Sequence, residues 1–208
     1  ANPDGAAANR RRNANGADLN RDHTLLSQPE TRALHAIVRR LRPHVTVDCH
    51  EFGRDSAEYF DRGWLEWPVI MMDTANHPLY PAGLYEAGLR WVEAARPAMA
   101  GAGYNYTRYF VGGAPPEDEL RPSTLEPDDA RNGLGAYGGL SFIIESGVWR
   151  RAENPNANLP ERVGAYLVLL RRFLDDASSR DADLELIETA RMAPMARFLP
   201  VNCFWGSA

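Results

Sequence analysis

The chain has 208 residues, 44% of them hydrophobic and 25% charged, with a formal net charge of −5 at pH 7. That mild acidic balance gives no hint of a nucleic-acid partner, since Arg10-Arg11-Arg12 is too short a basic run to argue for one. No stretch approaches the ~20 apolar residues of a membrane helix, so no membrane segment is expected in this chain.

Residues 1–24 are rich in Asn, Gly, Arg and Asp without periodicity and read as an ordered loop. A helix is expected over 27–42. Ser27 and Glu30 have capping-box spacing, Pro29 suits the first turn, and Leu34, Ile37, Val38 and Leu41 form one apolar stripe. Pro43 ends it, and Val45-Thr46-Val47-Asp48-Cys49 follows as a β-branched strand that delivers His50 at its end. Cys49 reads as a small core residue. It forms neither a C-x-x-C pair nor a disulfide framework with Cys203. A helix feeding a strand in this way is the pattern of an α/β fold.

Residues 51–80 read mostly as loop, and a second helix is expected over about 82–100, weakened by Gly83, Gly88 and Pro97. Residues 101–138 read as a further irregular stretch, long enough to serve as a lid or wall. Gly139 to Glu145 is the second clear strand, again ending in an ionisable residue. A helix over 159–176 places Val163, Leu167, Leu170 and Leu174 on one face, and an acidic helix follows from Ser178.

Ligands of open α/β sheets gather beyond the carboxyl ends of the strands. Both clear strands carry an ionisable residue there, His50 and Glu145. Neutral imidazole is a common zinc ligand, although a strand-end histidine more often bonds within the core. A glutamate closing an apolar strand could serve as a general base, or could cap a helix or pair with Arg150 or Arg151. Asp48 and Glu51 flank His50 and could support it. Arg21 beside Asn20 suits a bidentate carboxylate, while such a dipeptide in a polar loop is usually plain surface. Trp64, Trp67, Tyr104, Tyr106 and Tyr109 could line a pocket or act as packing anchors. His23, His35, His44 and His77 have no ligand spacing and read as structural.

Asn2-Pro3-Asp4-Gly5, then Asp18-Leu19-Asn20-Arg21, then Asp48-Cys49-His50, and finally Ile143-Ile144-Glu145-Ser146-Gly147 occur in an order that resembles the zinc carboxypeptidase (carboxypeptidase A-like) family. Asp22-His23 and the Gln28–Leu34 stretch look like its bacterial members. The resemblance implies a mixed, mainly parallel sheet with helices on both faces, lacking its first strands. It implies Zn2+ as cofactor with His50 as a metal ligand, Glu145 as the general base that promotes attack of metal-activated water, and Asn20 and Arg21 as the clamp for a terminal carboxylate. Arg11 would stabilise the oxyanion, with Arg10 and Arg12 close by, and Tyr137 would reach over substrate from the loop before the catalytic strand.

The family's H-x-x-E zinc ligands occur nowhere in this sequence. The expectation is therefore a truncated domain: residues 1–177 as the C-terminal two-thirds of a catalytic domain, inactive alone, and 178–208 as an acidic helix and apolar tail. The implied function is a metallocarboxypeptidase acting on a peptide with a free carboxylate. Two alternatives stand beside it: an N-acyl amino acid amidohydrolase similar to aspartoacylase and succinylglutamate desuccinylase, and a non-catalytic carboxylate-binding module. A secreted or periplasmic address is implied by the resemblance alone.

Overall fold

The computed structural model describes residues 2–54, 68–112, 116, 118–149, 154 and 156–192. Trp64, Trp67, Arg150, Arg151 and Cys203 lie outside them. Helix α1 (Pro3–Ala7) and a 3₁₀ turn at Leu19–Arg21 precede α2 (Pro29–Leu41), β1 (Val45–Gly53), β2 (Ile70–Thr74) and α3 (Ala82–Gly101). Next come β3 (Tyr106–Arg108), β4 (Phe110–Val111), β5 (Arg121–Pro122), α4 (Ala130–Gly135), β6 (Leu140–Val148), α5 (Leu159–Ser179) and α6 (Asp181–Met192). No helix among the described residues is long and apolar enough to cross a membrane.

The main sheet has the order β1-β6-β2-β3, with β1/β6 and β2/β3 parallel and β2/β6 antiparallel. Strand β6 is buried along its whole length because helices cover both faces. On one face α3 and α5 pack around Trp91, Phe142 and Phe173, whose rings lie 4.9–5.9 Å apart. The Trp91 indole N–H donates to Asp183 at 2.8 Å, which fastens α6 to the same layer. Gly88 lets α3 approach β2 closely, since a Cβ there would stand 2.1 Å from the Thr74 hydroxyl. On the other face Val38 of α2 packs with Ala130 and Leu134 of α4.

Four local expectations need correction. The Ser27–Glu30 capping box does not form. Gln28 is the N-cap of α2, the Ser27 hydroxyl donates to Asp22, and the Glu30 carboxylate accepts from Asn13. Asp22 caps the helix from outside, accepting from the backbone N–H groups of Ser27 and Gln28 and from the Thr31 hydroxyl. Cys49 is exposed rather than a core residue, because β1 is the edge strand of the sheet.

The α5 stripe of Val163, Leu167, Leu170 and Leu174 is exposed, whereas Arg162, Ala165, Leu169, Phe173 and Asp176 are buried. Ion pairs explain the buried charges: Arg162 with Glu51, and Asp176 with Arg172 and Arg180. The α2 stripe splits in the same way. Val38 is buried and Ile37 and Leu41 are exposed, while buried Thr31 and His35 are satisfied by Asp22, His23 and Tyr137.

Burial alone would raise the Asp22 carboxyl, but hydrogen bonds from Ser27, Thr31 and Gln28 outweigh it and hold the pKa down at about 2. The sign follows: a carboxylate depressed on folding adds stability above its ordinary 3.8 and loses it as pH falls towards 2. Asp22→Asn is expected to cost about 2–3 kcal/mol at pH 7. Urea melts of both proteins should converge near pH 2; a neutral substitution at pH 7 would show that Asp22 is not the cap.

Candidate active site

The parallel register of β1 and β6 sets His50 opposite Glu145 and Asp48 opposite Ile143. Side chains in register on adjacent strands share a face, as do residues two apart on one strand. Asp48, His50 and Glu145 therefore lie on one face, the side that carries α2 and α4. Both strands run further than the sequence suggested, to Gly53 and Val148, so His50 and Glu145 sit within them rather than at their ends. The sequence already marks both positions, because His50 and Glu145 each follow a run of β-branched or apolar residues.

His50 Nε2 lies 2.6 Å from Asp48 Oδ2 and 3.3 Å from Asn20 Nδ2. The short contact to the carboxylate places a proton on Nε2 and the ring's lone pair on Nδ1. Burial by itself would lower the His50 pKa, but the Asp48 hydrogen bond and the charges of Asp48 and Glu145 push it above the usual value. Glu145 is 8% exposed. Burial pushes its carboxyl up to about 7, against the pull of His50, Arg11 and a hydrogen bond from Tyr109.

Asn20 and Arg21 sit in the 3₁₀ turn, which Asp18 caps by accepting from the Asn20 N–H at 3.0 Å. Asn20 Oδ1 accepts from the Ala130 N–H at 2.8 Å, and Arg21 Nε lies 3.8 Å from Asp128 Oδ2. The polar loop is thereby stitched to α4. Arg11 pairs with Asp18 at 2.7 Å, and its charge is felt at both His50 and Glu145. These five residues, His50, Glu145, Asn20, Arg21 and Arg11, converge on one region.

Tyr137 stands apart from that group. Its hydroxyl meets His35 Nδ1 at 2.8 Å, His35 Nε2 in turn meets His23 Nδ1 at 3.0 Å, and the tyrosine packs against the Val38–Leu134 cluster. Among the other aromatics, Tyr106 is an anchor whose hydroxyl donates to the Val92 carbonyl at 2.8 Å. Among the described residues, Tyr109, just beyond β3, is the one of them at the site. Its hydrogen bond to Glu145 comes from a three-residue strand too short to be read from sequence.

The donor set bears on a metal in a specific way. His50 is mounted on a strand, backed by a carboxylate and left with its lone pair on Nδ1, which suits one zinc ligand. Among the described residues there is no group of three His, Cys, Asp or Glu side chains able to hold an ion.

No protein-family model matches the sequence. The chain is 41% identical over 179 residues to carboxypeptidase 2 of Trichophyton tonsurans, covering 85% of this chain and 33% of that protein. The same identity and coverage hold for carboxypeptidase 2 of Trichophyton equinum. Its fold is similar to that of a metallo-carboxypeptidase from Pseudomonas aeruginosa, solved in complex with (2-guanidinoethylmercapto)succinic acid. That similarity has a TM-score of 0.54 at 21% identity, over 89% of this chain and 44% of that one. The chain thus spans about a third of the length of the curated relatives it matches. Its α/β architecture, with helices on both faces of a mixed sheet, is that of the metallo-carboxypeptidases. Over most of its length the chain is thus similar in sequence to two carboxypeptidases and in fold to a metallo-carboxypeptidase.

Proposed function

We propose that the whole protein is a zinc-dependent metallocarboxypeptidase that hydrolyses the C-terminal peptide bond of its substrate. The described residues would then contribute the carboxylate clamp, the general base and one metal ligand. The observation that carries this reading is the cross-strand pair of His50 and a buried Glu145 raised to about 7, with Asn20 3.3 Å from the imidazole.

Arg21 and Asn20 would grip the terminal carboxylate, the guanidinium through charge-assisted bonds and the amide as a further donor. The half-exposed Arg21 side chain leaves it reachable from solvent. Glu145 would take a proton from the attacking water and deliver it to the amine nitrogen as the C–N bond breaks, which requires a carboxylate titrating near neutrality. Tyr109, hydrogen-bonded to Glu145, would hold that carboxylate in place. Arg11 would turn from Asp18 to the oxyanion that develops on the scissile carbonyl. His50 would be one of the three protein ligands a catalytic zinc takes, and the bound ion would supply Lewis-acid polarisation of the carbonyl and a lowered pKa of water. The dicarboxylic ligand of the Pseudomonas aeruginosa protein supports a site built for carboxylates.

The test compares release of the terminal residue from a short peptide with release of the same residue from its N-acyl derivative, each with and without a zinc chelator. Preferential peptide cleavage that the chelator abolishes is expected. Preference for the N-acyl amino acid would make the protein an amidohydrolase, and binding of both without cleavage would make it a carboxylate-binding module.

A further inference from the structure

A guanidinium that is fully buried and only partly satisfied lies beside the clamp. Arg131 of α4 is 0% exposed. Its Nη2 donates to Ser123 Oγ at 2.8 Å, the Thr124 carbonyl at 3.1 Å and Asp129 Oδ2 at 3.2 Å. Its Nε and Nη1 have no hydrogen-bond partner among the described residues. Those two nitrogens carry three of the five N–H donors of the group, and an arginine cannot shed its charge to escape the cost.

The surroundings add a second open donor. His77 Nδ1 accepts from the Leu79 N–H at 3.2 Å, so the proton of this imidazole sits on Nε2, which is buried without a partner. Asn76 Oδ1, an acceptor, is also buried without a partner, and the Asn76 N–H is bonded to Asn132 of α4 at 2.9 Å. The charge of Arg131 is felt at His77 and at Tyr109, the residue that touches Glu145.

Position completes the argument. Ala130, the residue before Arg131, is held by Asn20, and Asp128 is held by Arg21 and by the His23 N–H. A substrate whose terminal carboxylate sits on Asn20 and Arg21 therefore has the start of α4 as its immediate neighbour. An apolar side chain placed there would seal the open donors of Arg131 against hydrocarbon. A basic one would add a second cation, and Asp129 is already committed to Arg131 and to the Asn132 N–H at 2.7 Å. A carboxylate satisfies the donors and offsets the charge.

We propose that Arg131 is the specificity-determining residue of the site and selects substrates whose C-terminal residue is acidic, glutamate or aspartate. This rests on the carboxypeptidase reading above. The test uses the whole protein and three peptides that differ only in a C-terminal Glu, Leu or Lys. The Glu peptide is expected to exceed the other two by ~100-fold in kcat/KM, the effect of leaving buried donors unsatisfied. In Arg131→Met the Glu/Leu ratio should collapse to roughly unity, and Arg131→Lys, which keeps the charge but loses the planar fork, should fall between. A wild-type preference for Leu or Lys overturns the proposal, as does an unchanged Glu/Leu ratio in Arg131→Met, which would mean buried water satisfies the guanidinium. Should Arg131→Met fail to fold, the wild-type ratio and the Lys variant decide. Failure to cleave any of the three peptides would instead sink the carboxypeptidase reading itself.

Discussion

Glu145→Gln is expected to lower kcat ~1,000-fold, within the range removal of a general base produces, while leaving KM, fold and metal content close to wild type. Gln keeps the shape and hydrogen-bonding capacity of the side chain but cannot accept the water proton. The same substitution should stabilise the metal-free protein. Burial raises the wild-type carboxyl from 4.5 to about 7, so between those values the folded state holds more protons than the unfolded one. Stability of the wild type must then fall as pH rises through that window, and the Gln variant escapes the loss. The difference should reach about 2–3 kcal/mol above pH 8 and vanish below about pH 4.5. Activity should show an acidic limb as Glu145 protonates, shifted below 7 by any nearby metal charge. Denaturant melts of the chelated protein at several pH values, with single-turnover assays, check both halves. Retained turnover would remove Glu145 from the mechanism.

Arg21→Met is expected to raise KM ~100-fold for substrates with a free terminal carboxylate, with kcat little changed. Removing one partner of a hydrogen-bonded charge pair costs 2–5 kcal/mol in binding. Arg21 also sits 3.8 Å from Asp128 at an exposed position, a contact worth little, so the fold should survive. Asn20→Ala should do more damage, because its amide oxygen holds the Ala130 N–H and its nitrogen faces His50. Steady-state kinetics on both variants separates the two residues. An unaltered KM in Arg21→Met would mean the carboxylate is held elsewhere.

What could be read from the residues was local. The apolar run before Glu145 and the β-branched run before His50 announce their strands and the ionisable group that follows each run. The structure adds that the two strands are parallel neighbours in register. The extents of α2, α3 and α5 were legible from periodicity, whereas α1, α4 and the central strand β2 are too short to stand out and lie in stretches that read as loop.

What was hidden depends on contacts distant in sequence. Asp22 replaces the expected capping box because the backbone N–H groups of Ser27 and Gln28 and the hydroxyls of Ser27 and Thr31 all turn onto its carboxylate. Tyr109 reaches Glu145 through a pairing of β3 with β2 that three residues cannot signal. The outward apolar stripe of α5 was misleading because the buried face mixes Ala165, Leu169 and Phe173 with charged Arg162 and Asp176, whose ion pairs mask it as a polar face in the sequence. Arg131 looked like one arginine among many; only its complete burial with unspent donors sets it apart.

The most direct measurement is the rate at which the whole protein, loaded with zinc, releases the last residue of a peptide and of its C-terminal amide twin. The twin lacks only the charge that Asn20 and Arg21 would hold. The account predicts rapid release from the free acid and at least ~100-fold slower release from the amide. Equal rates on the two would contradict it, because the clamp would then have no part in recognition.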